Sequence, residues 1–308
     1  MPGNNSHKVA LVIGASRGIG RQIAIDLARA GYIVVIAAKS ITDESKPYTF
    51  PPDPNSARST ITTVAREITE AGGTVLAIPA DVRSEASINS LIQATLSEFS
   101  KIDVVIYNSG AIYWSAIDTT PTSRFRLLQQ INPEGLYITL QAIIPAFKKQ
   151  GIGRVVVVCP PIYSRFFRGK TAYAVGKVGM SVMVKGLAMD WERQGEKGLG
   201  VCGIWPAAAI QSGATGRVDP EQLRHATIFS DAIIAMINAP VEIINGLLDT
   251  DEDFLRKHEG ITDFSKYSLV PGTVPRRIMP AEFPDLTVAE QDDEGDRIDN
   301  AKERVAKL

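Results

Sequence analysis

The sequence is poor in residues that staple or ligate a fold. Of its 308 residues only two are cysteine, Cys159 and Cys202, and three are histidine. Both cysteines lie inside apolar runs, so neither a disulfide framework nor a zinc site organises the chain, and no metal is expected. Long hydrophobic runs are missing too, and no segment reaches the length of a membrane span. Lys and Arg number 33 against 34 Asp and Glu, a net charge of −1. With no excess of either sign, nucleic acid is not an expected partner, and neither is an anionic membrane surface. The opening residues, MPGNNSHK, are polar and hold no apolar signal-peptide core. The chain reads as one for a reducing, intracellular compartment, 44% hydrophobic and long enough to bury one large core. Its last residues, Ala306-Lys307-Leu308, resemble the Ser-Lys-Leu peroxisomal address, which makes the peroxisome the expected compartment and the cytoplasm the alternative.

What is present is an alternation. Short β-rich runs (KVALVIGAS, YIVVIAAK, TVLAIPADV, IDVVIYNSG, GRVVVVC, GVCGIWP, INGLLDT) take turns with helical patterns (IGRQIAIDLARAG, STITTVAREITEAGG, EASINSLIQATLSEF, RFRLLQQINPEGLYITLQAIIPAFKKQ, TAYAVGKVGMSVMVKGLAMDWERQ, SDAIIAMINAP). The strands are apolar enough to be covered on both faces. This predicts an α/β fold: a single doubly wound Rossmann-type domain, with a parallel sheet of about seven strands and helices on both faces. Residues 41–55, ITDESKPYTFPPDPN, are expected to be a Pro-rich insertion with no packed element of their own. The domain is expected over residues 1–270, followed at 271–308 by an extended C-terminal arm with a terminal helix.

The first strand runs into Gly14-Ala15-Ser16-Arg17-Gly18-Ile19-Gly20. Glycines there let the backbone turn tightly and approach a pyrophosphate at the N-terminus of the next helix. The second strand ends at Ala37-Ala38-Lys39. An NAD site wants an acid at that point to accept from the ribose 2′-hydroxyl, whereas a 2′-phosphate wants a base. Lys39, with Arg17 approaching from the turn, therefore favours NADP(H). Asp81 and Val82 after the third strand, and Asn108 and Gly110 after the fourth, sit at carboxyl ends of strands, where such a fold binds its ligand.

Tyr173 and Lys177 are four apart in a helical pattern and share a face. An ammonium beside a phenol stabilises phenolate and lowers the pKa, which suits Tyr173 to proton transfer with Lys177 tuning it. The helix carrying them is apolar nearly all round, so it can meet the sheet on one side and a partner helix on another.

Taken together, GASRGIG, ADV, YNSGA, INPEG, YAVGK and the Pro206 turn resemble the short-chain dehydrogenases/reductases from about residue 6 to 255. Within that family AAK, DVR, the PP before the Tyr helix, AYAVGKVGMS, WPAAAI and EGITDFSKYSLVPG are similar to the peroxisomal hydroxysteroid dehydrogenase-like proteins, here without room for the sterol-carrier domain that some of them append. The resemblance implies a catalytic set of Asn132, Tyr173 and Lys177, with Asn132 interrupting its helix to hold a relay water. It implies cofactor contacts at Pro206, Ile210 and Ser212, and a homodimer or homotetramer. The family's catalytic Ser is not matched. The usual spacing lands on Pro160, next to Cys159, and Ser164 is the nearest Ser or Thr hydroxyl, so Cys159 and Ser164 stand as possible donors. The expected function is interconversion of a carbonyl and a secondary alcohol on a small lipid-like or secondary-metabolite substrate. The alternatives are an NADP(H)-binding scaffold with little redox activity, or a non-redox dehydratase, isomerase or cyclase.

Overall fold

The apolar runs form seven parallel strands: β1 (Val9–Ile13), β2 (Ile33–Ala38), β3 (Val75–Pro79), β4 (Val104–Tyr107), β5 (Gly153–Val158), β6 (Leu199–Trp205) and β7 (Leu248–Thr250). They make one sheet in the order β3-β2-β1-β4-β5-β6-β7. β1 lies between β2 and β4, with Leu11 opposite Val35 on one side and Val105 on the other. The order reverses at β1, so a crevice opens at the carboxyl ends of β1 and β4. The structure, a computed structural model, describes residues 8–287 except 44, 46 and 48.

Period-two alternation in the strands feeds two cores. Ala10, Val12, Val156 and Ile204 face one side, where α1 (Gly18–Arg29), α2 (Ile61–Glu70), α7 (Thr227–Asn238) and α9 (Asp251–Glu259) cover them with Leu27, Val64, Ile233 and Phe254. Val9, Leu11, Val155 and Val157 face the other, under α3 (Glu85–Phe99), α5 (Gly135–Gln150) and α6 (Thr171–Gln194). α4 (Thr122–Gln129) precedes α5, and the short α8 (Val241–Ile244) precedes β7. No helix among the described residues is long and apolar enough to cross a membrane.

Three segments depart from the simple alternation. The run from Arg124 to Gln150, which reads as one helical pattern, contains a π-turn at Gln130–Glu134 between α4 and α5. Pro133 lies inside that turn, where its missing N–H already interrupts the ladder. The described residues of the Pro-rich insertion form no helix or strand, yet the segment packs: the carbonyl of Pro54 accepts from the Gly18 amide at 2.9 Å. The arm beyond residue 270 returns to the sheet's carboxyl edge, where Arg277 bridges Ala208 in antiparallel fashion. The terminal helix and Ala306-Lys307-Leu308 lie outside the described residues.

Candidate active site

The Gly-rich turn is held in shape from three sides. Gly14 takes φ +91°, a conformation that suits glycine, and its carbonyl accepts from Asn108 Nδ2 at 2.9 Å. A Cβ on Gly20 would overlap both partners of that bond, so α1 can start close to β4 only because residue 20 has no side chain. The Ser16 carbonyl accepts from Ser59 Oγ at 2.7 Å, and Pro54 takes the Gly18 amide. The amides of Ile19 and Gly20, in the first turn of α1, have no hydrogen-bond partner among the described residues. They are the unpaired helix-start donors that bind anions.

Arg17 and Lys39 both lie at the end of β2. Arg17 Nη2 donates to Ser40 Oγ at 3.1 Å, and Lys39 Nζ lies 3.2 Å from Asp81 Oδ2. Asp81 is also gripped by Arg83 at 2.7 Å. Hydrogen bonds from Arg83, then from Lys39, hold its carboxyl well below the usual carboxylate range. Val82 is buried against the start of α5, with a Cβ on Gly135 falling 3.1 Å from it, and it does not line the cavity described below.

Tyr173 and Lys177 project from the first two turns of α6 toward the π-turn. Gly176 lets the helices approach, since a Cβ there would lie 3.3 Å from Asn132 Cβ, Gln129 Oε1 and Pro133 Cδ. Gln129 Nε2 donates to the Ala172 carbonyl at 3.1 Å, which ties the two elements together. Asn132, fully buried, accepts from the Ala111 amide at 3.0 Å and donates to the Ala111 carbonyl at 3.1 Å. A Cβ on Gly110 would sit 3.3 Å from both Asn132 Oδ1 and Lys177 Nζ, so those two groups converge on one point. The buried ammonium of Lys177 donates to the Val158 carbonyl at 2.8 Å, and burial pulls its pKa down to about 8.

The expectation that Lys177 lowers the pKa of Tyr173 needs correction for this arrangement. The ammonium is directed at the end of β5, and burial of the phenol pushes Tyr173 up instead. Phe166, Trp205 and Trp114 contribute to that burial, with ring centroids 6.2 Å (Phe166) and 6.4 Å (Trp114) from Tyr173 and 5.7 Å between Phe166 and Trp205.

The two candidate replacements for the missing Ser are both placed elsewhere. Cys159 continues the alternation of β5 and faces the same core as Val155 and Val157. Its thiol lies beside Ser181 and within electrostatic reach of Lys177, but fully buried on the core side and off the cavity lining. Burial pushes that thiol up to about 12. Ser164, exposed, opens a 3-10 turn (Ser164–Phe167) and does not line the cavity. The Pro206-Ala207 turn, which lacks the family's Gly, is anchored by Asp251, whose Oδ1 accepts from the Ala207 amide at 2.8 Å.

A cavity of about 430 Å³ takes in some of these parts, though not the turn's glycines, Arg17, Lys39 or Asp81. It is lined by Ile19, Asn108 and Gly110 from the nucleotide side, by Tyr173 and Lys177, and by Pro206, Ile210 and Ser212 beyond β6. Trp114, Trp205, Arg276 and Ile278 also line it and were not anticipated from sequence. Trp205 sits at the carboxyl end of β6, a position rule that would have found it. Nothing local to the arm says that Arg276 and Ile278 fold back.

A doubly wound sheet, a Gly-rich turn at its switch point and a Tyr-x-x-x-Lys helix beside it define a dinucleotide-fold dehydrogenase architecture. The family profile described as short chain dehydrogenase matches residues 8–47 and 55–221, and the chain belongs to that family. The gap between the two matched stretches falls on the Pro-rich insertion. Among curated proteins the chain is 34% identical over 305 residues to mouse (Mus musculus) hydroxysteroid dehydrogenase-like protein 2, covering 96% of this chain and 59% of the relative. The chain thus spans less than two thirds of that relative's length. Among solved structures it superposes on a short chain dehydrogenase from Mycobacterium thermoresistibile with a TM-score of 0.76 at 29% identity, covering 88% of this chain and 94% of that one. It also superposes on a 7α-hydroxysteroid dehydrogenase complexed with NADH and 7-oxo glycochenodeoxycholic acid, with a TM-score of 0.65 at 25% identity, covering 80% and 93%.

Proposed function

We propose that this chain is an NADP(H)-dependent oxidoreductase that interconverts a carbonyl and a secondary alcohol on a lipid-like substrate. The observation that carries the reading is that Tyr173 and Lys177 open into a cavity that also takes in Ile19 of the Gly-rich turn and Asn108 beside it. The residues present fit a dinucleotide: the unpaired Ile19 and Gly20 amides suit its pyrophosphate, and Arg17 and Lys39 suit a 2′-phosphate. Asn108, Gly110, Pro206, Ile210 and Ser212 would flank the nicotinamide half. When bound, the cofactor supplies or accepts hydride at its nicotinamide ring.

The chain's own residues manage the proton and the carbonyl. Tyr173, kept protonated by burial, donates to the substrate oxygen in the reducing direction. Lys177, poised near neutrality, replaces that proton or electrostatically supports the phenolate as it forms. Asn132 positions the Gly110–Ala111 backbone beside them. No hydroxyl at the end of β5 assists, so the rate is expected to fall short of a complete constellation by on the order of 10²-fold. The domain is read as residues 1–270 with the arm docked on it. The exposed Tyr137, Val182 and Met189 on α5 and α6 support a homodimer or homotetramer.

The test is NADPH oxidation against a ketone panel with wild type and Tyr173→Phe. Turnover that drops by about 10³-fold in the variant, with NADPH affinity retained, is expected. Tight NADPH binding with no ketone or alcohol turned over would instead mark a scaffold, and product formed at constant NADPH absorbance would mark a non-redox enzyme.

A further inference from the structure

The cavity contains a cation for which the proposed chemistry has no use. The arm crosses the Pro206-Ala207 turn as a short extended segment: Ile278 N–H donates to the Ala207 carbonyl at 2.7 Å, and Arg277 bridges Ala208. In extended backbone successive side chains point to opposite sides. Arg277 turns away and is consumed, its Nη1 donating to Asp253 Oδ1 at 2.9 Å and its Nη2 pairing with Oδ2 of the same carboxylate. Arg276 and Ile278 turn into the cavity. The Arg276 backbone is pinned by Gln222 Oε1 at 3.0 Å, while its guanidinium has no hydrogen bond or ion pair among the described residues.

No Asp or Glu lines this cavity. Its other charged lining group is Lys177, which is buried and committed to the Val158 carbonyl, whereas Arg276 is exposed at the solvent side. Most of the remaining wall is apolar, with Ile112, Trp114, Trp205, Val218 and Ile278, and the uncharged polar groups are Asn108, Ser212, Thr215 and Gln222 beside Tyr173. One end of the space is thus set for a carbonyl, the middle for a hydrocarbon body, and the outer rim for an anion. A guanidinium presents a planar fork that matches a carboxylate with two parallel hydrogen bonds.

We infer that Arg276 is a specificity-determining residue, and that the cavity selects apolar carbonyl compounds bearing a carboxylate remote from the reacting group. This rests on the oxidoreductase reading for the position of the carbonyl, and the carboxylate is recognised by the arm. The nicotinamide half of the cofactor would take part of the 430 Å³, and the remainder, beside Ile112, Trp114, Val218 and Ile278, is left for a chain or a ring body.

The test uses two matched pairs: an oxo-fatty acid with its methyl ester, and a ring-keto steroid acid with its methyl ester. For wild type, kcat/KM with NADPH is expected to favour the acid of at least one pair by about tenfold, the size of one charge-assisted contact at a partly exposed site. Arg276→Gln collapses that acid-to-ester ratio toward one through the KM of the acid, and Arg276→Lys restores part of it. Which pair shows the effect distinguishes a chain from a ring system. The same pairs are titrated in parallel by quenching of tryptophan fluorescence, since Trp114 and Trp205 line the cavity, so acid preference is read even without turnover. Equal binding and turnover of acid and ester by wild type would overturn the inference. So would an Arg276→Gln enzyme whose KM for NADPH rises while both ketones slow alike, because that would place Arg276 on the cofactor. Acid-selective binding lost in Arg276→Gln, with no turnover of any ketone, would leave the recognition standing and defeat the oxidoreductase reading.

Discussion

Asn132 holds Ala111 by both ends of its amide, accepting from the backbone N–H at 3.0 Å and donating to the backbone carbonyl at 3.1 Å. Asn132 sits in the π-turn between α4 and α5, and the clasp ties the segment after β4 to that turn. Asn132→Ala is expected to lower stability by about 2 kcal/mol, because two backbone groups at a buried site lose their partner. Asn132→Asp keeps the acceptor but sets an oxygen against the Ala111 carbonyl, so it is also expected to destabilise. Urea midpoints for the two variants check this, and a midpoint unchanged in both would show that the clasp contributes nothing.

Cys159→Ser is expected to give no gain in turnover, because the side chain faces the core beside Ser181 and not the cavity. With its thiol pushed up to about 12, Cys159 is also expected to resist alkylation in the folded protein. Steady-state rates of the Ser variant and the rate of iodoacetamide labelling measure both. A gain of tenfold or more would mean that the end of β5 reaches the substrate after all.

Lys39 pairs with Asp81 across the mouth of the nucleotide crevice but remains more than half exposed, with a side-chain accessibility of 58%. Lys39→Ala is expected to weaken NADPH binding by about tenfold with little change for NADH, and added salt is expected to narrow the difference. Fluorescence titration with each cofactor reads the ratio. An NADH affinity that falls equally would show that Lys39 does not meet a 2′-phosphate.

Asp251, buried beneath the Pro206-Ala207 turn, has its pKa raised to about 7, chiefly by burial, against an ordinary value of about 4 in the unfolded chain. Between those values the folded state holds a proton that the unfolded state has released. Stability therefore falls as pH rises from about 4 to about 7 and levels off above. Asp251→Asn retains an acceptor for Ala207 and removes that part of the slope. Thermal midpoints of both proteins across the range check it. Parallel curves would assign the slope to other groups.

The crevice at the strand ends, where the nucleotide residues are proposed, was legible because its signals are local, although Val82 turns out to pack under α5. A glycine turn, the residue ending β2 and the groups ending β3 and β4 are each placed by a strand's own direction. Tyr173 and Lys177 were legible for the same reason, being one helical turn apart. The direction of Cys159 was legible as well, had the parity of β5 been counted from Val155. The tuning of Tyr173 was not, since it depends on burial of the phenol by Trp114 and Phe166 from other segments, while Val158 holds the Lys177 ammonium from 19 residues away.

The doubly wound sheet, its switch point and the pairing of Tyr173 with Lys177 follow from periodicity and spacing, which act over a few residues. The rest waits on contacts between distant segments. The insertion's Pro54 meets Gly18, Asn132 meets Ala111, and the arm brings Arg276 to the mouth of the cavity. Such contacts form only when burial of the two cores has already paid the entropy of bringing far-apart residues together. The pattern of the chain therefore reveals a dinucleotide fold with Tyr173 and Lys177 on one helical face, while its folding decides that neither Cys159 nor Ser164 lines the cavity and that Arg276 does.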